Sequence, residues 1–195
     1  MKITRIRKAG GLLCILLTFA AFNGYSQEKE PAQIFWENLQ KHCGKAYEGR
    51  LADGIRDPDF EGHRLVMHVR SCDANTIRIP LFLGEDRSRT WVLTYRDGVI
   101  SLKHDHRLED GSEDDFTQYG GTATNTGFAH LQYFPSDPET VELGGSLARI
   151  IWYMTVDEKQ FTYNLDYIGS DDFFSIEFDL TRTVEAPPAP WGWED

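Results

Sequence analysis

From Ala46 to the last strand the sequence alternates apolar and polar residues with a period of two, and helical periodicity is absent. A chain patterned this way along most of its length can bury its apolar side chains only by building sheet. The segments "AYEGRLA", "RLVMHVRSC", "TIRIPLFLG", "RTWVLTY", "VISLKHDHR", "AHLQYFP", "ARIIWYMTV", "QFTYNLDYI" and "FFSIEFDLTRT" each read as a strand, and short pieces at 117–119 and 140–143 bring the number to about ten. Strands in such close succession form an antiparallel meander. The predicted fold is therefore all-β: an antiparallel meander closed into a barrel of about ten strands. A sandwich or jelly roll is the other closure the same pattern allows. The exception to the pattern is "PAQIFWENLQKHCG", where Ile34, Phe35 and Leu39 are spaced for a short N-terminal helix between Pro31 and Gly44.

Turn chemistry fixes which side chains share a face. Asp97-Gly98 supplies the positive-φ pair of a two-residue hairpin, so Arg96 pairs with Val99, Leu93 with Leu102, Trp91 with His104 and Arg89 with His106. Tyr95, Ile100, Leu93, Leu102 and Trp91 then form the core-facing set, and by the same alternation Arg89, His104 and His106 point inward at the end of the hairpin. Asp105 and Arg107 fall on the solvated face. The "VDEKQF" turn makes a second hairpin whose inner face carries Trp152, Met154, Phe161, Tyr163, Leu165 and Tyr167, and Phe174, Ile176 and Phe178 share that of the last strand. Rings this large either fill a small barrel or line a pocket. The acidic, glycine-punctuated loops 54–63 and 109–115 are the expected rims of the barrel.

The compartment is written at the start. "MKITRIRKAGGLLCILLTFAAFNGYSQ" sets Lys2, Arg5, Arg7 and Lys8 before an apolar run and then small residues, the order of a secretory signal peptide cleaved after Ser26. The apolar run is about a dozen residues, against about 20 for a membrane span. The expected domains are a signal peptide at 1–26, a single barrel at 27–184 and a Pro/Trp-rich tail at 185–195, "EAPPAPWGWED", read as an extended strap packing on the outside or a partner-binding tail. The expectation is a soluble exported protein, periplasmic or extracellular, with no membrane span. The whole chain carries a net charge of −11, and the basic leader holds four of its 20 Lys and Arg residues, so the remainder is more acidic still. That field repels phosphate backbones and anionic lipid, which argues against nucleic acid as a partner. Two cysteines follow the leader, Cys43 and Cys72, and in an oxidising compartment they are expected to form a disulfide. In the chain-entropy description a loop of that length contributes ~3 kcal/mol.

A short helix, about ten antiparallel strands and a final "FFSIEFDL" strand resemble a lipocalin-type (calycin) barrel, the superfamily that includes the fatty-acid-binding and nitrobindin-like barrels. The resemblance is one of strand pattern and covers residues 35–180. "CGKAYEGRL" occupies the place of the lipocalin G-x-W signature, with Tyr47 where that family has tryptophan. The resemblance implies a small ligand held at a barrel mouth.

Three readings of the inward histidines follow. In the first they are structural, their polar atoms satisfied at the barrel end. In the second, His104, His106 and Arg89 bind an anionic or amphipathic ligand whose body lies along Trp91 and Trp152, with Tyr163 on the same inner wall; a guanidinium grips a carboxylate in two places. Imidazoles with ordinary pKa values would strengthen anion binding as pH falls toward about 6. In the third, the H-x-H pair holds a divalent metal with Asp110 as third ligand. "GVISLKHDHRLED" resembles the first cupin motif in this respect, but the later histidine of the second cupin motif is missing. The leading functional expectation is an exported barrel binding a small ligand, with no cofactor. The alternatives are a metal-dependent cupin-like enzyme and a structural envelope-associated protein without a pocket.

Overall fold

The computed structural model describes residues 28–194, so the leader expected at 1–26 lies outside the described residues. The strands are β1 (Ala46–Leu51), β2 (Leu65–His68), β3 (Ser71–Cys72), β4 (Thr76–Leu83), β5 (Asp86–Arg96), β6 (Val99–His106), β7 (Tyr119–Thr122), β8 (Leu131–Pro135), β9 (Ile150–Val156), β10 (Gln160–Tyr167) and β11 (Phe173–Val184). All pairings are antiparallel, in the order β7-β6-β5-β4-β2-β1-β11-β10-β9-β8, with β3 paired to β4. Ten strands thus run round a barrel that is nearly closed.

The hairpin geometry follows the turns. Asp97 and Gly98 have φ values of 52° and 81°, and the strands they join pair Arg96 with Val99, Trp91 with His104 and Arg89 with His106, as the two-residue loop requires. At the other hairpin the Asp157 carboxylate accepts the backbone N–H groups of Lys159 and Gln160. Pro80 sits inside β4, where it cannot donate to a ladder. Its position matches the break between β2 and β3: Met67 pairs with Leu81 and Ser71 with Arg78, leaving Pro80 between the two pairings. "RLVMHVRSC" is for that reason two short strands.

The seam between β7 and β8 shows where sequence patterning misleads. Residues 140–143, expected as strand, belong to a helix, α2 (Pro138–Leu143). Pro138 occupies its first turn and the Asp137 carboxylate accepts the Thr140 N–H at 3.0 Å, a capped start that overrides the short alternation. The same Asp137 carboxylate pairs with Lys103 of β6 at 2.6 Å. Across the seam Gly121 bridges to Ser136, and the Thr140 hydroxyl accepts the Gly120 N–H (2.7 Å) while donating to the Gly120 carbonyl (2.9 Å). The backbones approach so closely that a Cβ on Gly121 would lie 2.0 Å from the Pro135 carbonyl oxygen, which is why "YGGT" occurs here.

One end of the barrel is covered by α1 (Pro31–Gln40). Its buried stripe is Ala32, Phe35, Trp36 and Leu39, at the i, i+3, i+4, i+7 spacing of a core-facing helix; Ile34, expected on that face, is only half-buried. Trp36 stacks on Tyr95 at 5.7 Å between ring centroids, beside the Asp97-Gly98 turn. Just after the helix, Cys43 is disulfide-bonded to Cys72 of β3, with Cα atoms 6.1 Å apart. Tyr47, in the position of the lipocalin tryptophan, is buried and its hydroxyl lies 2.6 Å from His42 Nδ1.

The outer face beside β6 is not solvated as the alternation implies. Asp105 is 4 % exposed and accepts from Arg107 Nε at 2.9 Å and Gln118 Nε2 at 3.2 Å. Loop 109–115, expected as a rim, folds outward: Arg107 bridges to Glu113, and Gly111 packs against Gly192 of the C-terminal segment. That segment crosses the outside of the barrel as a strap, with the Trp191 N–H bonded to the Arg87 carbonyl and Arg78 lying over the Trp193 ring.

Candidate ligand-binding mouth

At the end opposite α1 the barrel holds an open cavity of about 450 Å³. Strand parity delivers Trp91 and Arg89 from β5, His104 and His106 from β6, and Tyr163, Leu165 and Tyr167 from β10 to its wall, and β11 adds Phe174. The loop after β1 closes the rim with Asp57 and Phe60; the Phe60 ring meets Phe174 at 4.9 Å. The expected rim at 54–63 is therefore present. Trp91 stacks on Tyr163 at 4.4 Å, and together they make a flat aromatic floor.

His104 is the most deeply set polar group of the mouth, 3 % exposed. Its Nδ1 lies 3.1 Å from the Tyr119 carbonyl and its Nε2 2.7 Å from the Tyr163 hydroxyl. A carbonyl can only accept, so Nδ1 carries the hydrogen; Nε2 is then the bare acceptor, and Tyr163 donates to it. Burial, reinforced by neighbouring His106, pushes the His104 pKa down to about 3. Burial likewise raises the Tyr163 hydroxyl well above its ordinary value. The indole N–H groups of Trp91 and Trp152 approach that hydroxyl and oppose the rise, but Trp152 Nε1 stops short of hydrogen-bond geometry and is without a partner among the described residues. Trp152 itself packs behind His104 at 5.2 Å.

His106 lies nearer the opening. Its Nε2 is 3.1 Å from the Tyr119 hydroxyl, and burial, with the field of Arg89, holds its pKa below the usual histidine value despite the opposing Asp114, Asp105 and Asp86 carboxylates. Burial also raises Tyr119 to about 12. The expectation that these imidazoles charge as pH nears 6 is thus corrected for His104, which desolvation keeps neutral there, while burial also disfavours the charged form of His106. Arg89 is likewise already engaged, its Nη1 paired with Asp86 of its own strand and its guanidinium over the Phe60 ring at 5.9 Å.

No protein-family model, curated protein or solved structure matches this chain. What the site can do is therefore argued from its geometry.

The structure brings Arg89, Trp91, His104, His106 and Tyr163 to one cavity, with Trp152 one layer behind. It does not bring Asp110 to them. The Asp110 carboxylate is exposed on its own turn, accepting the Ser112 N–H at 2.9 Å and hydroxyl at 2.6 Å, and both ring nitrogens of His104 are already engaged. Among the described residues no group of three or more His, Cys, Asp or Glu side chains converges as a metal site. The sequence places Tyr167 on the inner face but does not mark it as a site residue, and it does not single out Tyr119, Phe60 and Asp57. Tyr119 directly opposes His104 across the β6–β7 pair and stacks on it at 4.5 Å; "YGGT" is too short and too glycine-rich to declare a parity. Phe60 and Asp57 belong to a loop, where no periodicity applies.

Proposed function

We propose that this chain is an exported barrel that binds a small amphipathic ligand in the mouth opposite α1. The observation that carries the reading is the cavity of about 450 Å³, a volume in the range of small-molecule sites, placed where strand parity puts the inward polar groups on an aromatic floor. In this reading a flat ligand body lies along Trp91 and Tyr163, and His106 and Tyr119 meet its polar end. His104 has a different part, holding Tyr163 and the Tyr119 carbonyl in place beneath the ligand. The covered opposite end and the meander topology support assigning the chain to the lipocalin-type superfamily. The basic, apolar leader and the Cys43–Cys72 disulfide support export.

The test uses N-phenyl-1-naphthylamine, a flat, neutral probe. Fluorescence titration of the mature protein is expected to show saturable one-to-one binding, abolished in Leu165→Trp, where the new ring fills the cavity and the circular dichroism of the barrel is kept. A well-folded native protein that binds no probe, or a filled variant that binds it unchanged, overturns the reading.

A further inference from the structure

We propose that the ligand of the mouth is an organic cation with an aromatic or branched apolar body, an inference that rests on the mouth being a small-ligand site. The walls are Phe60, Trp91, Tyr119, Tyr163, Tyr167 and Phe174, and aromatic faces attract a cation through their negative quadrupole. Three carboxylates, Asp57, Asp59 and Asp172, also line the cavity, and among the described residues none of them forms an ion pair. The Asp57 and Asp172 fields reach inward, since both help to raise the Tyr167 hydroxyl, whose largest cause is burial.

Each guanidinium of the mouth already has a carboxylate partner. Arg89 is held by Asp86, and Arg56, which also lines the cavity, pairs with Glu61 at 3.4 Å. His104 and His106 are kept neutral by burial, so they do not repel a cation at neutral pH. An entering anion would meet three carboxylates that form no ion pair among the described residues, and two guanidiniums that each already hold a carboxylate. An entering ammonium would meet those carboxylates at the rim and aromatic faces below. The acidic chain adds long-range attraction in the same sense.

A matched series separates charge from shape: 2-phenylethylammonium, 2-phenylethanol and phenylacetate share one body and differ in their head. Calorimetric titration of the mature protein at low salt is expected to rank them cation, alcohol, carboxylate, with the cation at least about tenfold tighter than the alcohol. That preference should shrink severalfold in 0.5 M NaCl, because Asp59 and Asp172 are solvent-exposed and Asp57 is only half-buried. It should shrink similarly in Asp57→Asn/Asp172→Asn, where both amides can still accept the local bonds from the Asp59 N–H and the Ser170 hydroxyl and alcohol binding is retained. Phenylacetate binding as tightly as the ammonium, or a preference unmoved by both salt and the double variant, overturns the proposal. If phenylnaphthylamine binds and the ammonium does not, the cation proposal alone fails; if neither binds, the ligand-site reading fails with it.

Discussion

His104 contributes to the acid behaviour of this protein, alongside His42, His68 and His106, which burial also lowers. In an unfolded chain it titrates near 6.5, and in the folded barrel burial lowers it to about 3. The folded state therefore favours the neutral ring. Its stabilisation is complete above pH 6.5 and is lost as pH falls toward 3, because in that window the unfolded chain takes up a proton that the folded one refuses. The slope this group can contribute is at most about 1.4 kcal/mol per pH unit. His106, lowered for the same main reason, acts in the same direction. The thermal midpoint of the native protein should fall steadily between pH 7 and 4.5, above the range where Asp86 and Asp137, with their lowered pKa values, begin to protonate. His104→Gln, which can still bond Tyr163 but does not titrate, should show a shallower dependence; equal slopes would refute the account. Tyr163→Phe removes the hydroxyl donated to Nε2 and should cost about 1–3 kcal/mol in chemical denaturation, the penalty of an unsatisfied buried acceptor.

At the scale of elements, the best-determined unit is the β5–β6 hairpin and the least is the β7–β8 seam. The hairpin was legible because Asp97-Gly98 sets its register and one register puts every large apolar side chain inside. The seam was not, because β7 is a four-residue strand, the run after Pro138 is a capped helix, and closure depends on contacts between residues 20 apart such as Gly120 and Thr140. The Thr140 hydroxyl bonds both polar groups of Gly120 across the seam, and the Asp137 N–H also donates to the Gly120 carbonyl at 3.0 Å. Thr140→Val keeps the shape and removes those bonds. It leaves the Gly120 N–H unsatisfied while its carbonyl keeps the Asp137 N–H, so it should destabilise the barrel by about 1–3 kcal/mol and speed amide exchange in β7 and β8 more than in β4 or β5. Uniform protection across all four strands would show that the seam does not depend on this side chain.

The whole molecule is a barrel with one covered and one open end, and both covalent and non-covalent links hold the cover. Trp36 and its neighbours join the main core cluster, and Cys43–Cys72 ties the end of α1 to the sheet across 29 positions. The native, unreduced protein should show a Cys43–Cys72 linked peptide by mass spectrometry. Cys43→Ser/Cys72→Ser should lower stability by about 3 kcal/mol in urea while leaving the mouth at the far end able to bind phenylnaphthylamine. Two free thiols in the unreduced protein, or loss of binding in a variant that remains folded, would contradict this separation of cover from mouth.

The sequence by itself determined the all-β class, the number of strands to within one or two, the inward set Arg89, Trp91, His104, His106 and Tyr163, and the pairing of the two cysteines. Each of these follows from short-range physics: a period of two assigns faces, a positive-φ turn fixes a register, and two cysteines after the leader have one partner each. Only the tertiary structure decided that 140–143 is helix, that Asp105 is buried under Gln118 and Arg107, that Asp110 stands apart from the histidines, and that Tyr119, Phe60 and Asp57 complete the mouth. It also decided the charge of the site, since the neutrality of His104 and the capture of Arg89 by Asp86 arise from burial and through-space pairing. Those are properties of neighbours brought together by closure of the barrel, and local alternation carries no record of them.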